Sequence, residues 1–209
     1  MSVSLVWVTP DAEKLVVKTA RVSNKANEDN WETGPKLLKY LIKHNHWSPF
    51  EMVSMCIEIN TERDIAAQLT RHRSFSFQEF STRYAKTVEA GVPWFRRQDE
   101  KNRQNSINDI HPFTQQELQY KAQKLLRDSY DLYEYMLQRG VAKETARRIL
   151  PLCTPTSMYM TGTLRSWIHY IKIRASHETQ HEHRLIAQKC LTIFKRECPI
   201  IAEAAFSTV

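Results

Sequence analysis

Alternating apolar and polar residues predict strands at several places in the chain. Residues 3–9 are mostly apolar. Within residues 52–60 apolar side chains occupy every second position, at Val53, Met55, Ile57 and Ile59. A period of two is typical of a strand that buries one face. Residues 157–162 are also predicted to form a strand, and the mixed pattern of residues 13–22 is compatible with a further one.

Apolar residues at helical spacing predict helices between and after these strands. One helix begins around Trp31 and ends within residues 43–46, and its apolar side chains are Leu37, Leu38, Leu41 and Ile42. A shorter helix is expected over residues 61–70, with Thr61 as its N-cap. Further helices are predicted over residues 142–150, 163–173 and 185–198.

The longest predicted helix has Thr114 as its N-cap and ends at Arg139 and Gly140. Its apolar stripe, interrupted by Ser129, consists of Leu118, Ala122, Leu125, Leu132, Tyr133, Met136 and Leu137. We expect these side chains to lie in the core. Residues 85–113, just before this helix, are predicted to be mostly a solvated loop, and such a long loop often serves as a lid or a subunit contact.

The composition is typical of one globular domain. The chain has 209 residues, of which 42% are hydrophobic and 25% charged, and we expect a single domain over residues 1–209. No apolar run reaches membrane-spanning length, and residues 1–8 lack the features of a secretory signal, so we expect a cytoplasmic protein with no membrane partner. The four cysteines form no Cys-x-x-Cys pair and are expected to be buried thiols.

The chain is basic, with a formal net charge of +7 and a pI of about 9.3. Such a charge is common among nucleic-acid-binding proteins, but here the arginines are scattered along the chain. A site for phosphorylated or carboxylated small molecules accounts for the charge equally well. The four glycines are too far apart for a glycine-rich phosphate loop, so side chains and helix ends would have to hold any nucleotide cofactor.

The densest group of candidate site residues lies between Gln68 and Tyr84. Arg71, His72 and Arg73 are consecutive and follow the short predicted helix, where the helix dipole favours cations. Burying such groups unpaired is costly, so a core role does not explain them. Further polar groups follow at Glu79, Ser81 and Arg83. A solvated helix end is the alternative, but this density favours a site for phosphates, carboxylates or an electron-rich ring.

This segment resembles the signature of the flavin-dependent thymidylate synthases, in which Arg-His-Arg is followed by seven residues and a serine, here Ser81. A second segment resembles the same family. On its own it reads equally well as a polar loop with an aromatic plug, but its residues match the family's His-x-(Ser/Thr)-Pro-Phe-Glu loop at His46, Ser48, Pro49, Phe50 and Glu51. The resemblance extends over about residues 21–204.

The resemblance implies an enzyme that methylates dUMP to dTMP, with FAD as cofactor and with NADPH and methylenetetrahydrofolate as co-substrates. It implies an α+β fold with a central, mostly antiparallel sheet flanked by long helices. The family forms homotetramers with active sites shared between subunits, so the expected partners are small molecules and further copies of this chain. No nucleic-acid partner and no metal are expected.

The resemblance also implies a dUMP site built largely from arginines. Arg174 matches the family's catalytic arginine, whose guanidinium would stabilise negative charge as a ring nitrogen of uracil ionises. Arg147, in Arg-Arg-Ile-Leu-Pro, matches a nucleotide-contacting arginine, and Ser81 is expected to contact phosphate. The implied dUMP-binding residues are Gln68, Arg71, Glu79, Phe80, Ser81, Thr82, Arg83, Arg147 and Arg174.

The flavin site implied by the resemblance draws on residues from several elements. Thr163 departs from the family pattern, which has an asparagine two positions before the arginine that Arg165 matches. The implied FAD-binding residues are His46, Ser48, Arg71, His72, Arg73, Glu79, Thr163, Leu164, Arg165 and His169.

A competing hypothesis rests on a His-Glu-x-x-His sequence late in the chain. On a helix, His177 and His181 would share a face with Glu178 beside them, as in zinc metallopeptidases. Arg174 and Arg184 would lie close to that face, where their positive charge opposes a dication. A metallopeptidase is therefore the alternative function. The family resemblance instead accounts for this region through the residues at 174, 180 and 182.

Overall fold

A computed structural model describes residues 1–207 and has an α+β fold. Its strands are β1 (Ser2–Val8), β2 (Ser54–Glu62), β3 (Ser76–Glu79), β4 (Arg97–Gln98), β5 (Ser106–Ile107) and β6 (Pro155–Thr163). Its α-helices are α1 (Ala12–Ala20), α2 (Gly34–Lys43), α3 (Arg63–Leu69), α4 (Pro112–Gln138), α5 (Lys143–Ala146), α6 (Leu164–Arg174), α7 (His181–Glu197) and α8 (Pro199–Ala205). Short 3₁₀ helices cover Lys25–Asn27, Ser48–Glu51 and Arg147–Ile149.

Four strands form an antiparallel sheet in the order β1-β2-β6-β3, which confirms the predicted fold class. The alternating side chains of β2 explain its place inside the sheet, because Met55, Ile57 and Ile59 are fully buried. Strands β4 and β5 form a separate antiparallel ribbon, in which Arg97 pairs with Ile107. This ribbon and the first two residues of α4 lie within residues 85–113, which were predicted to be mostly loop.

The chain divides into two compact units, and strands β2, β3 and β6 contribute residues to both. Unit one is made of Met1 and residues 60–71 and 78–158. Unit two is made of residues 2–59, 72–77 and the chain from 159 onward. The single domain expected over residues 1–209 stays a prediction, and its last two residues lie outside the described part of the chain.

Several predicted elements differ from the structure in type or in length. Helix α1 occupies residues whose mixed pattern was compatible with a strand, and it buries Ala12, Val16 and Val17 on one face. Tertiary burial overrides the strand preference of the adjacent valines. The single helix predicted over residues 142–150 is instead α5 followed by a 3₁₀ turn, and α8 was not predicted.

Two predicted helix caps are wrong. Helix α3 begins at Arg63 with Glu62 as N-cap, whereas Thr61 is still part of β2. Helix α4 begins at Pro112, and the His111 side chain accepts a hydrogen bond from the Phe113 N–H at 3.3 Å. Proline at the first helical position is favourable because its φ is preset and its missing N–H has no intrahelical partner.

The apolar stripe predicted for α4 is only partly buried. The buried side chains of this helix are Gln115, Leu126, Tyr130 and Tyr133. Leu118, Leu125 and Leu132, which recur every seven residues, are 37%, 70% and 46% exposed. The expectation that the whole stripe lies in the core of one chain is therefore wrong, because the helix carries a second apolar line that faces outward.

Three of the four cysteines are buried as expected, and Cys153 is the exception. All four thiols are free, and Cys153 is half-buried. Within residues 1–207, no helix combines the length and the apolar character that a membrane crossing requires.

Candidate active site

A cavity of about 540 Å³ in unit two brings together residues that are far apart in sequence. Its lining residues are Trp47, Glu51, Ser74, Arg165, Ser166, Ile168, His169 and Lys172. The volume is in the range of small-molecule sites. Arg165 and His169 were predicted to bind FAD, and the structure places both in this cavity.

The loop after α2 supplies one wall of the cavity. Asn45 at the end of the helix adopts the left-handed conformation, with φ 58°, and the His46 N–H donates to the Leu41 carbonyl at 2.9 Å. This is a common way to end a helix and reverse the chain. Phe50 is fully buried and anchors the loop, with its ring 5.8 Å from that of Trp47. Trp47 is thereby held at the cavity, while His46 is exposed.

The first turn of α6 supplies another part of the lining. Thr163 caps the helix, since its hydroxyl accepts a hydrogen bond from the Ser166 N–H at 3.3 Å. The Ser166 hydroxyl donates to the Ser74 carbonyl at 3.2 Å and ties the helix to the segment after Arg73. Arg165 forms an ion pair with Glu51. The two resembling segments and α6 are therefore joined at this cavity.

The departure at Thr163 has a simple structural explanation. Threonine and asparagine are both favoured N-cap residues because a side-chain oxygen can accept from the first helical N–H groups. Thr163 thus preserves the start of α6. Leu164 is fully buried, so its contribution here is to the core.

Arg174 at the end of α6 is held by a histidine of the Arg-His-Arg segment. Its Nε–H donates to His72 Nε2 at 3.0 Å. The His72 ring stands edge-on to Tyr170, at 5.0 Å between centroids, and to His183, at 6.2 Å. Burial, followed by the charges of Arg174 and His169, lowers the pKa of His72 to about 4. His72 is therefore neutral near pH 7 and accepts through Nε2.

His183 is completely buried beside this contact, with its ring 5.8 Å from that of Tyr170. Burial, with smaller contributions from Arg174 and His72, lowers the pKa of His183 to about 3. Burial also raises the pKa of the Tyr170 hydroxyl well above its usual value. The aromatic surroundings of Arg174 thus carry no charge near neutral pH.

Thr82, one of the predicted dUMP residues of unit one, is 1% exposed. Its hydroxyl accepts hydrogen bonds from Arg147 Nη1 at 3.1 Å and from Arg63 Nη1 at 3.2 Å. Arg147 is half-buried and the adjacent Arg148 is exposed, which agrees with Arg147 as the residue of interest. Arg83 pairs with Glu144 at 3.3 Å at the surface.

The other predicted residues of this segment have defined but more exposed positions. The Glu79 carboxylate accepts from the Thr156 hydroxyl at 3.0 Å, and the Phe80 ring is 38% exposed. Ser81 is exposed, and its carbonyl accepts from the N–H groups of Tyr84 and Ala85.

The predicted dUMP-binding and FAD-binding residues fall largely in different compact units. Unit one holds the predicted dUMP residues other than Arg174, together with Arg71 and Glu79 of the FAD set. Unit two holds Arg174 and the remaining predicted FAD residues. Within unit two, Ser48 and Arg73 are exposed and do not line the cavity.

Several residues near the predicted dUMP and FAD residues were not predicted from the sequence. Arg63 shares Thr82 with Arg147, and Trp47, Ser74 and Lys172 line the cavity. Arg63 stands in a short polar helix start, where nothing in the sequence distinguishes it from a solvated arginine. Trp47 lies inside the matched loop segment and could have been found there.

The prediction that a single helix carries the His-Glu-x-x-His residues is wrong. Residues 177–180 form turns and an extended residue, and α7 begins only at His181. Arg184 donates to Nδ1 of both His177 and His181 at 3.2 Å, so a guanidinium occupies the place between the two rings. Among residues 1–207, no group of three or more His, Cys, Asp or Glu side chains is placed to hold a metal ion.

The sequence is similar to a family of known proteins over most of its length. The family model described as "Thymidylate synthase complementing protein" matches residues 4–200. A probable flavin-dependent thymidylate synthase from Paramecium bursaria Chlorella virus 1 is 49% identical and covers 98% of both chains. A flavin-dependent thymidylate synthase from a Synechocystis species is 48% identical, covering 92% of this chain and 88% of that one.

A solved structure resembles the whole fold. The crystal structure of the UMP/dUMP methylase PolB from Streptomyces cacaoi, bound with 5-Br dUMP, superposes with a TM-score of 0.88. The two sequences are 26% identical, and the match covers 99% of this chain and 94% of the other.

Proposed function

The chain belongs to the thymidylate synthase complementing protein family, the flavin-dependent thymidylate synthases, and from this premise we propose how it converts dUMP to dTMP. It is an enzyme, a flavin-dependent methyltransferase acting on dUMP. The observation that carries the assignment is its 49% identity, over nearly the full length of both chains, to a relative named for this activity. The metallopeptidase alternative has no support, since its helical motif is absent from the described residues.

The proposed substrate site uses arginines to hold the nucleotide. Binding of 5-Br dUMP by the similar PolB structure supports a uracil nucleotide as substrate. Half-buried Arg147 is fixed by Thr82, and guanidinium groups bind phosphates through paired, charged hydrogen bonds. We propose that Gln68, Arg71, Ser81 and Arg83 complete the contacts to dUMP.

The proposed chemical role of Arg174 follows from its surroundings. C5 of a neutral uracil is a poor nucleophile, and loss of the ring N–H proton places electron density on the ring. A guanidinium aimed at the ring stabilises this charge most strongly where water is excluded. Arg174 is half-buried among uncharged rings, so its positive charge is available to an anionic uracil.

The cavity of unit two fits a flavin nucleotide. Arg165 and Lys172 offer positive charge for a diphosphate, and Trp47 offers an aromatic face for a planar ring system. We propose FAD as the flavin, held by these residues and by His169, which also lines the cavity. When bound, a reduced flavin supplies the hydride of the reaction.

The reaction needs a carbon donor and a source of electrons besides the flavin. In a flavin-dependent route, a methyl group at C5 is built from a one-carbon unit at the oxidation level of formaldehyde and two electrons delivered as hydride. We propose methylenetetrahydrofolate as the carbon donor and NADPH as the source of the electrons. Both proposals rest on the family resemblance.

We also propose that the chain assembles as a homotetramer with shared active sites. The outward apolar line of α4, with Leu125 70% exposed, offers a surface that a second copy could bury. If active sites are shared between subunits, a chain of only 209 residues can carry site residues on many separate elements.

The test of this function is the Arg174→Ala variant. It should bind flavin as the wild type does, while dTMP formation falls on the order of 10²- to 10³-fold or more, as for loss of a preorganised charge. Arg196→Ala is the matched control, because Arg196 is a surface arginine paired with Glu197. Wild-type dTMP formation by Arg174→Ala would refute the role of Arg174.

A further inference from the structure

We propose that His72 is a positioning residue for Arg174, holding the guanidinium in place through a neutral imidazole acceptor. The proposal rests on the function given above and deepens it. Its basis is the 3.0 Å hydrogen bond from Arg174 Nε to His72 Nε2. This bond fixes the tautomer, since Nε2 can accept only if the ring proton is on Nδ1.

The His72 ring is itself held in place by other rings. It meets Tyr170 edge-on at 5.0 Å and Phe75 edge-on at 6.5 Å. Tyr170 is fully buried and also contacts His183. A residue that is locked by packing can orient its partner, whereas a mobile side chain cannot.

A neutral acceptor has a specific advantage over a carboxylate at this position. Aspartate or glutamate would also orient the guanidinium, but its negative charge would offset the field that Arg174 presents to uracil. The imidazole orients Arg174 and leaves the net positive charge in place. His183 and Tyr170 are also uncharged, so they do not offset the positive charge of Arg174 either.

The groups that face His72 keep its imidazole neutral. Arg174 and His169 of α6 both disfavour a second positive charge, and burial disfavours it further. His183 of α7 is neutral and lies edge-on to the ring. His72 therefore remains an acceptor throughout the neutral range.

The experiment compares His72→Leu, which removes the acceptor, with His72→Gln, whose amide oxygen can replace Nε2. His72→Leu should lower kcat for dTMP formation on the order of 10- to 100-fold, the worth of a hydrogen bond to a charged group. The dissociation constant for dUMP should change by less than about threefold, since the stabilised charge develops in the transition state. His72→Gln should recover most of kcat.

Flavin measurements separate this role from a direct flavin contact. Flavin content and the rate of flavin reduction by NADPH should match those of His181→Leu, a substitution of an exposed histidine outside the proposed site. A loss of activity that follows a loss of flavin, or the absence of rescue by glutamine, would overturn the positioning role.

An NMR readout keeps the test independent of the proposed function. In histidine-labelled wild-type protein, the His72 Nε2 resonance should be that of an unprotonated nitrogen, and the ring should titrate near its pKa of about 4. In Arg174→Ala the pKa of His72 should rise above about 4 but stay below the usual value for histidine, because burial is the largest cause of its shift. A protonated Nε2 in the wild type overturns the proposal, whereas a wild-type protein that forms no dTMP overturns only the proposed function.

Discussion

At the scale of single residues, close packing explains one glycine in this protein. A Cβ at Gly162 would lie 2.5 Å from Phe75 Cδ1 and 2.8 Å from Cε1. Phe75 has little freedom to yield, because its ring lies 4.8 Å from that of fully buried Trp167. The absence of a side chain at position 162 is therefore required by the approach of an aromatic ring.

Gly162→Ala should destabilise the protein by about 1–3 kcal/mol through overpacking. Urea unfolding measures this difference in free energy. Gly91→Ala is the matched control, because no heavy atom lies within 4 Å of a Cβ at that position. Equal stability of the two variants would contradict the packing argument.

Buried His183 predicts a stability that falls in acid. Its pKa is about 3 in the folded protein and about 6.5 when unfolded, so the unfolded chain binds more protons between these values. Above pH ~6.5 His183 does not reduce the free energy of unfolding. As the pH falls below this value, protonation in the unfolded chain lowers that free energy by at most about 1.4 kcal/mol per pH unit for this group.

The measurement is urea unfolding at pH 7 and pH 5 for the wild type and for His183→Leu. The variant should lose less stability between the two pH values, because leucine has no proton to bind. His181→Leu, which removes an exposed histidine of the same helix, should keep the wild-type pH dependence. Parallel pH profiles for the wild type and His183→Leu would show that another group dominates.

At the scale of elements, the N-terminal turn of α6 connects helix capping with the flavin cavity. Thr163 caps the helix, and Arg165 and Ser166 in its first turn line the cavity. Loss of the cap would both weaken the helix and loosen two lining residues. The proposed cofactor site thus depends on an interaction that contacts no ligand.

Thr163→Ala should lower stability by about 1 kcal/mol, whereas Thr163→Asn should be nearly neutral because asparagine is an equally good cap. Flavin affinity should fall in the alanine variant and be retained in the asparagine variant. Thermal unfolding and flavin titration test the two effects. A stable alanine variant with weakened flavin binding would instead indicate a direct contact of Thr163 with the cofactor.

At the scale of the whole molecule, α4 has two apolar lines. One buries Leu126, Tyr130 and Tyr133 in unit one, and the other exposes Leu118, Leu125 and Leu132. Large apolar side chains that recur along one exposed helix face indicate an association surface. The proposed homotetramer gives this surface an occupant.

Leu125→Glu should weaken assembly, because a carboxylate would have to be buried at the subunit contact. Sedimentation should then give species smaller than the wild type, and dTMP formation should fall if active sites are shared. Gln123→Glu adds the same charge at an exposed position on the opposite side of α4. An unchanged mass for Leu125→Glu would exclude this helix from the interface.

The sequence by itself determined the features that depend on local pattern. Alternation identified β2, and the segments around His46 and Arg71 identified the family. Periodicity and motif spacing suffice here because neighbouring residues carry the information. Helix boundaries were less well predicted, since Pro112 and His111, rather than Thr114, begin α4.

Only the tertiary structure decided which distant groups meet. It joined Arg174 to His72, Glu51 to Arg165, and Arg63 with Arg147 to Thr82. It also ended the metallopeptidase hypothesis, because the extended backbone at Gln180 starts α7 too late for both histidines to share a helical face. The physical reason is that burial and hydrogen bonding between remote segments depend on how the elements pack, which no local pattern records.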